Sequence, residues 1–268
     1  MPINILQIKK GNEDMKLEGK VAVIPGGTAG IGKEIALAYA REGATVVVMS
    51  RSQEKVSAME VQLKESGSVK SFGLAVDISD EEAVVAAFKQ VKERCGKVDI
   101  MLNSAGIYPV AAFVETTKEE WNHVINVNLN GPFYCAREAA KYMIPQKSGR
   151  IIFITSGQAL RGEALMAHYS ASKGALVALA RALAAELGPH GITVNTIAAG
   201  LTTTDTVNSS MPPQLLTNAA MGFPLQRLGR PDEYNGAAIL LASEDGAYIT
   251  GDTIAVDGGG SNANASHL

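Results

Sequence analysis

The chain has 268 residues, 24 Lys and Arg against 27 Asp and Glu, a net charge of −3 and an apolar share of 46%. That is too apolar and too weakly charged for a disordered chain, and a pI near 5.9 carries no nucleic-acid footprint. No apolar run approaches the roughly 18 residues of a membrane span, and Cys95 and Cys135 are too few for a disulfide framework. The expectation is a soluble, cytoplasmic chain without a membrane or nucleic-acid partner.

Residues 1–14 are polar and unpatterned and read as an N-terminal extension. From Lys20 onward, short β-branched runs alternate with helical patterns. Val21–Ile24 leads to a helix over 30–42, Thr45–Met49 to 52–66, and Val69–Val76 to 80–95. Val98–Leu102 then leads to one long helical stretch near 118–144, Arg150–Thr155 to a helix over 167–187, and Thr193–Ile197 into an irregular region. Short apolar strands joined by crossovers of this length predict an α/β fold, a single Rossmann-type, doubly wound parallel sheet with helices on both faces. It occupies 15–260 as one domain, with 201–224 as a substrate lid and 261–268 as a tail. The ending Ser266-His267-Leu268 has the pattern of a degenerate peroxisomal address, the alternative to the cytoplasm.

Gly26, Gly30 and Gly32 fall in the turn after the first strand, with Thr28 and Ile31 between them. Glycines there let the backbone approach a pyrophosphate, whose charge a helix N-terminus favours. At the end of the second strand, Ser50 takes the place of an acid that would hold a ribose 2′-OH, and the basic Arg51 follows, which suits a 2′-phosphate. Read alone, Arg51 is a solvated arginine; read with the glycine turn, it favours NADP(H), with NAD(H) still possible. Asp77 and Ile78, after the third strand, are placed to meet an adenine ring. Asn103, Ala105 and Gly106, after the fourth, are placed to line the ribose.

Tyr169 and Lys173 are one helical turn apart on one face. An ammonium beside a phenol is expected to lower a pKa that starts near 10. Ser156 stands just after the fifth strand, where strand ends form the ligand crevice. These features, with Asn128-Leu129-Asn130-Gly131 and Tyr248-Ile249-Thr250-Gly251 running to Val256-Asp257-Gly258-Gly259, make the chain from about Lys16 to Gly260 resemble a short-chain dehydrogenase/reductase.

That resemblance implies a catalytic tetrad of Asn128, Ser156, Tyr169 and Lys173. Ser156 would hydrogen-bond the substrate oxygen, Tyr169 would exchange a proton with it as acid or base, and Lys173 would also bind the nicotinamide ribose. Asn128 would hold a water linking Lys173 to solvent. Gly200, Leu201 and Thr204 would adjoin the nicotinamide. The implied activity interconverts a ketone or aldehyde and an alcohol. A catalytically silent nucleotide-binding sensor or scaffold of the same fold is the alternative. Two departures stand out: Pro25 precedes the first glycine where the family has threonine, and Ala198-Ala199-Gly200 stands where it has Pro-Gly.

Gln158 and Met166 are candidate substrate contacts beside Ser156 and Tyr169, and Arg161 offers either a charge for an anionic substrate or an exposed surface arginine. His123, His168, His190 and His267 share no metal-site spacing, so no metal is expected. His168 reads as a surface or subunit-contact histidine, because adjacent helical residues face different ways. The Ala-rich stretch 175–187 is apolar nearly all round and calls for cover on more than one side. In the family the chain resembles, that cover comes from subunit packing, so the resemblance implies a homotetramer, with a dimer as the fallback.

Overall fold

The computed structural model describes residues 15–261. The expected extension over 1–14, most of the tail and the Ser266-His267-Leu268 ending lie outside the described residues. In chain order the elements are β1 (Val21–Pro25), α1 (Gly30–Arg41), β2 (Thr45–Ser50), α2 (Gln53–Glu65), β3 (Phe72–Ala75), α3 (Glu81–Cys95) and β4 (Ile100–Asn103). Then come α4 (Lys118–Ile125), α5 (Gly131–Gln146), β5 (Gly149–Ser156), α6 (Gln158–Arg161), α7 (Ala167–Leu187) and β6 (Ile192–Ala199). Last are α8 (Asp205–Ser210), α9 (Pro213–Met221), α10 (Asn235–Ala242) and β7 (Thr253–Val256).

The seven strands form one parallel sheet in the order β3-β2-β1-β4-β5-β6-β7. Successive side chains alternate across it. On one face Val23, Val47 and Phe153 pack with Phe88 of α3, Ala139 of α5 and Leu176 of α7. On the other, Ile24, Val48 and Ile152 pack with Ile35 and Tyr39 of α1, Met59 of α2 and Leu241 of α10. Burial on both faces is why β5 and β6 are covered along their whole length. The strand order reverses between β1 and β4, and the crevice beyond the strand C-termini there is where such a sheet receives ligands.

Local signals fix the helix ends. The Ser52 hydroxyl accepts from Lys55 N and starts α2, and the Asp80 carboxylate accepts from Ala83 N and starts α3. α3 stops at Gly96, in the left-handed region at φ 75°.

Three expectations are corrected. The single helix near 118–144 is two helices separated by a π-helical turn, Asn126–Asn130. Pro132 has no N–H to return to the Asn128 carbonyl, so one α-helical bond is missing where the π-helical turn meets α5. The strand over 69–76 shrinks to Phe72–Ala75, since residues 68–71 form a turn in which Ser71 Oγ accepts from Val46 N. The stretch after β6 also contains more order than expected: α8, α9, α10 and the edge strand β7, whose Ile254 pairs with Ile197.

Candidate active site

The glycine turn is held against the end of β4. Gly26 has φ +78°, a conformation an L side chain rarely adopts, and a Cβ there would stand 2.4 Å from Ala105 N. A Cβ on Gly32 would stand 2.3 Å from Gly26 O. Pro25 leaves the turn intact: its carbonyl accepts from Ser104 N, and Gly26 N still donates to Met49 O. α1 opens at Ala29 without a capping side chain and without an acidic residue in its first turn, so its leading N–H groups face the crevice uncompensated. Thr28 and Ile31 flank that turn, both half-buried. Thr204 closes over it, its methyl 3.0 Å from where a Gly30 Cβ would stand, while its hydroxyl caps α8 by accepting from Val207 N.

Farther along the strand ends, Ser50 is half-buried and Arg51 exposed. Burial pushes the Asp77 carboxyl up, but hydrogen bonds from the Ser79 hydroxyl and amide, with the charges of Arg51 and His123, leave it below its ordinary value. Arg51 and Asp77 are therefore electrostatic neighbours. Ile78 is buried against Gly131. Asn103 is 1% exposed, and neither atom of its amide has a hydrogen-bond partner among the described residues. A buried amide left unpaired is costly, so both its donor and its acceptor are left available to a polar partner.

The expected tetrad converges at the ends of β4 and β5. Asn128, fully buried in the π-helical turn, accepts from Ile107 N at 2.8 Å and donates to Ile107 O at 2.8 Å and to Ser172 Oγ at 3.2 Å. Its side chain thus clamps the loop after β4 to α7. Lys173 is 4% exposed and donates to the Ile154 carbonyl at 3.0 Å. A Cβ on Gly106 would stand 3.2 Å from the Lys173 ammonium, so glycine keeps a hollow open beside it. Ser156 ends β5, and its hydroxyl contacts the Gln158 carboxamide and lies within hydrogen-bonding reach of Tyr169.

The electrostatics differ from the expectation drawn from charge alone. Burial pushes the Tyr169 phenol up; the Ser156 hydrogen bond pulls it down by less, and Tyr108 and Tyr234 push it up further. Burial also lowers Lys173 to about 8. The expected drop in the phenol is absent because the ammonium is itself desolvated and bonded to Ile154, with its nitrogen 5.8 Å from the phenol ring centre.

Two neighbours gave no sequence signal. Tyr108 meets the Tyr169 ring edge-on at 6.3 Å, and the Tyr234 hydroxyl bonds Thr202 at 2.6 Å. His168, expected at the surface or in a subunit contact, is 1% exposed within its own chain, because α4 packs over the start of α7. A cavity of about 480 Å³ opens beside this group, lined by Gly106, Tyr108, Glu120, His123 and Thr206. Met166 is the half-buried residue ahead of α7, and Arg161 is exposed and paired with Glu163 at 3.3 Å. Leu201 bonds Gly229, and Gly200 abuts Asp257 and bonds Val256. Ala199, where the family has proline, stays in the ladder between Ser156 and Val256. Among the described residues no cluster of three His, Cys, Asp or Glu could hold a metal, and no helix is long and apolar enough to cross a membrane.

A family model described as enoyl-(acyl carrier protein) reductase matches residues 26–261. The chain is 35% identical over 248 residues to a 3-oxoacyl-(acyl-carrier-protein) reductase of Vibrio harveyi, covering 91% of this chain and 98% of that one. It is 39% identical over 250 residues to a 2-dehydro-3-deoxy-D-gluconate 5-dehydrogenase of Pseudoalteromonas atlantica, covering 92% and 98%. Among solved structures, levodione reductase superposes with a TM-score of 0.89 at 29% identity, covering 92% of this chain and 99% of that one.

The burial of Lys173 makes a stability test. Its folded-state value lies below the unfolded one, so the cost of burying the charge is fully present below pH 8 and is relieved as pH rises toward 10.5. Lys173→Met removes that cost and forfeits one hydrogen bond, for a net gain of about 2 kcal/mol at pH 7. Urea unfolding at pH 7 and pH 10 is expected to show the gain at the first and little of it at the second. A less stable variant at pH 7 would contradict this account.

Proposed function

The chain belongs to the short-chain dehydrogenase/reductase family and is a nicotinamide-dependent oxidoreductase of CH–OH groups in small molecules; on that premise we propose that it uses NADP(H) to interconvert a ketone or aldehyde and an alcohol, with Tyr169 as the acid and base. The observation that carries this reading is the meeting of Ser156, Tyr169 and Lys173 between the end of β5 and the first turns of α7, with the unpaired amide of Asn103 at the end of the neighbouring strand β4. A silent nucleotide sensor has no use for that grouping.

The residues fit a dinucleotide. The turn Gly26–Gly32 and the uncapped start of α1 would hold its pyrophosphate, Asp77 and Ile78 its adenine, and Arg51 a 2′-phosphate. Asn103, Ala105, Gly106 and Lys173 would line the ribose side, with Gly200, Leu201 and Thr204 near the nicotinamide. When bound, the nicotinamide supplies or accepts the hydride.

The protein's own part is to place an oxygen and move a proton. Ser156 donates to the substrate oxygen and orients it toward Tyr169. A phenol held above its ordinary value is protonated at neutral pH, the state from which it gives its proton to the oxygen of a carbonyl undergoing reduction. Lys173, still mostly protonated at pH 7, stabilises the phenolate left behind. Asn128 serves this set by clamping Ile107 and Ser172. Gln158 would border the substrate oxygen through Ser156, and Met166 would meet the substrate from its half-buried place ahead of α7.

The same assignment extends to assembly and setting. The outer face of α7 carries exposed Ala178, Ala182 and Ala185, and Trp121 and Phe133 are exposed on α4 and α5, which supports a homotetramer. The two free cysteines agree with a cytoplasmic setting.

Three measurements test these assignments. With a panel of ketones, aldehydes and alcohols followed at the NADPH absorbance band, Tyr169→Phe is expected to lower turnover at least a hundredfold with little change in NADPH affinity. Unchanged turnover on every substrate would refute the role given to Tyr169. Ser50→Asp with Arg51→Ala is expected to move preference toward NADH by tenfold or more, and equal wild-type affinity for NADH and NADPH would count against Arg51. Sedimentation velocity is expected to show a species of four chains; a monomer at micromolar concentration would rule the assembly out.

A further inference from the structure

α7 begins without a conventional cap. Met166, ahead of it, sits at φ −130° and ψ 34°, and its side chain accepts no hydrogen bond from the first turn. The leading N–H groups of a helix have no partner inside it, and Tyr169 N is one of them. Its acceptor is the imidazole of the preceding residue: Tyr169 N donates to His168 Nδ1 at 2.9 Å.

A ring nitrogen accepts only when it carries no proton, so this bond places the imidazole proton on Nε2. Nε2 is buried and has no hydrogen-bond partner among the described residues. The Glu120 carboxylate of α4 stands 3.9 Å away. That is too long for a direct hydrogen bond, but the negative charge favours an N–H at that nitrogen over a bare one. Glu120 is in turn fixed by its place in the first turn of α4, where its amide donates to the Thr117 hydroxyl. The imidazole, 1% exposed, thus bridges α4 and the residue carrying the phenol.

We propose that His168 is a positioning residue: its neutral, Nε2-protonated tautomer holds the Tyr169 amide and so sets the phenol toward Ser156. This rests on the reading of Tyr169 as acid and base. His168 touches no reacting atom. It acts by fixing the first turn of α7, and small misplacement of a reacting group is enough to cost rate.

Two variants separate this role from plain packing. His168→Asn keeps an acceptor where Nδ1 stands; His168→Gln carries its amide out toward the Nε2 position and leaves the Tyr169 amide unpaired. On the best carbonyl substrate of the panel, kcat is expected to stay within threefold of wild type for His168→Asn. For His168→Gln it is expected to fall at least tenfold, with the KM for NADPH unchanged in both. Full kcat in His168→Gln, or an equal fall in the two variants, overturns the proposal.

The tautomer is read on the resting wild-type protein labelled with ¹⁵N-histidine, from the resonances missing in both variants. A bare Nδ1 beside a protonated Nε2 supports the clamp, and a protonated Nδ1 overturns it whether or not a substrate has been found. If Tyr169→Phe is fully active while the tautomer is as expected, the acid–base reading has failed and the clamp on α7 stands.

Discussion

The arrangement of the site hangs on one buried ammonium. Lys173 is almost wholly withdrawn from water and is met by the Ile154 carbonyl. Taking such a charge into a protein is expensive unless it is paired or solvated by fixed dipoles, and here the withdrawal lowers its pKa to about 8. For that carbonyl to be in place, β5 must lie fully buried between β4 and β6. For the lysine to reach it, α7 must start at a fixed height above the sheet. The two requirements explain why so many polar contacts gather at one edge: Asn128 ties Ile107 to Ser172, and His168 ties the first turn of α7 to its own backbone. Each contact removes a freedom that the lysine alone could not.

The same edge dictates small residues. Ala105 presses on Gly26, whose backbone is in a left-handed conformation, and Gly32 presses on the Gly26 carbonyl. A side chain at Gly106 would crowd both Lys173 and Asn128. The glycine turn and the catalytic group are therefore not independent modules. They share the loop after β4 as a common wall, so a shift of that loop would disturb the glycine turn and the lysine hollow together.

Much of this is legible in the sequence, for reasons that also show where legibility stops. Strands buried on both faces read as apolar runs, so β1, β2, β4, β5 and β6 stand out. Tyr169 and Lys173 share a helix face by spacing alone. What the sequence conceals depends on partners from elsewhere in the chain. Adjacent helical residues face different ways, which is true of His168 and Tyr169, yet α4 covers the second direction too. A phenol near an ammonium suggests a lowered pKa, but the sign is decided by how much water each has lost, which is a property of the packing. The break before α5 coincides with Pro132, which lacks one helical N–H, but a periodic apolar pattern hides a single missing bond. Strand β7 is four residues at an edge, half-buried throughout, and so lacks the strong apolar signature of its neighbours.

The division between what is rigid and what is adjustable follows from the same physics. Lys173, Asn128 and Ser156 are buried and belong to, or are bonded to, the sheet and α7. The groups that would meet the rest of a substrate belong to loops and short helices: Tyr108 on the segment after β4, Gln158 and Met166 around α6, Thr204 and Thr206 at the start of α8. Few of their backbone positions are fixed by a ladder. The chemistry proposed for this site would thus be tied to the stability of the sheet, and substrate shape would be set where the sheet exerts least control. A substitution in the first group alters folding and rate together, and one in the second can alter selectivity while the fold is indifferent.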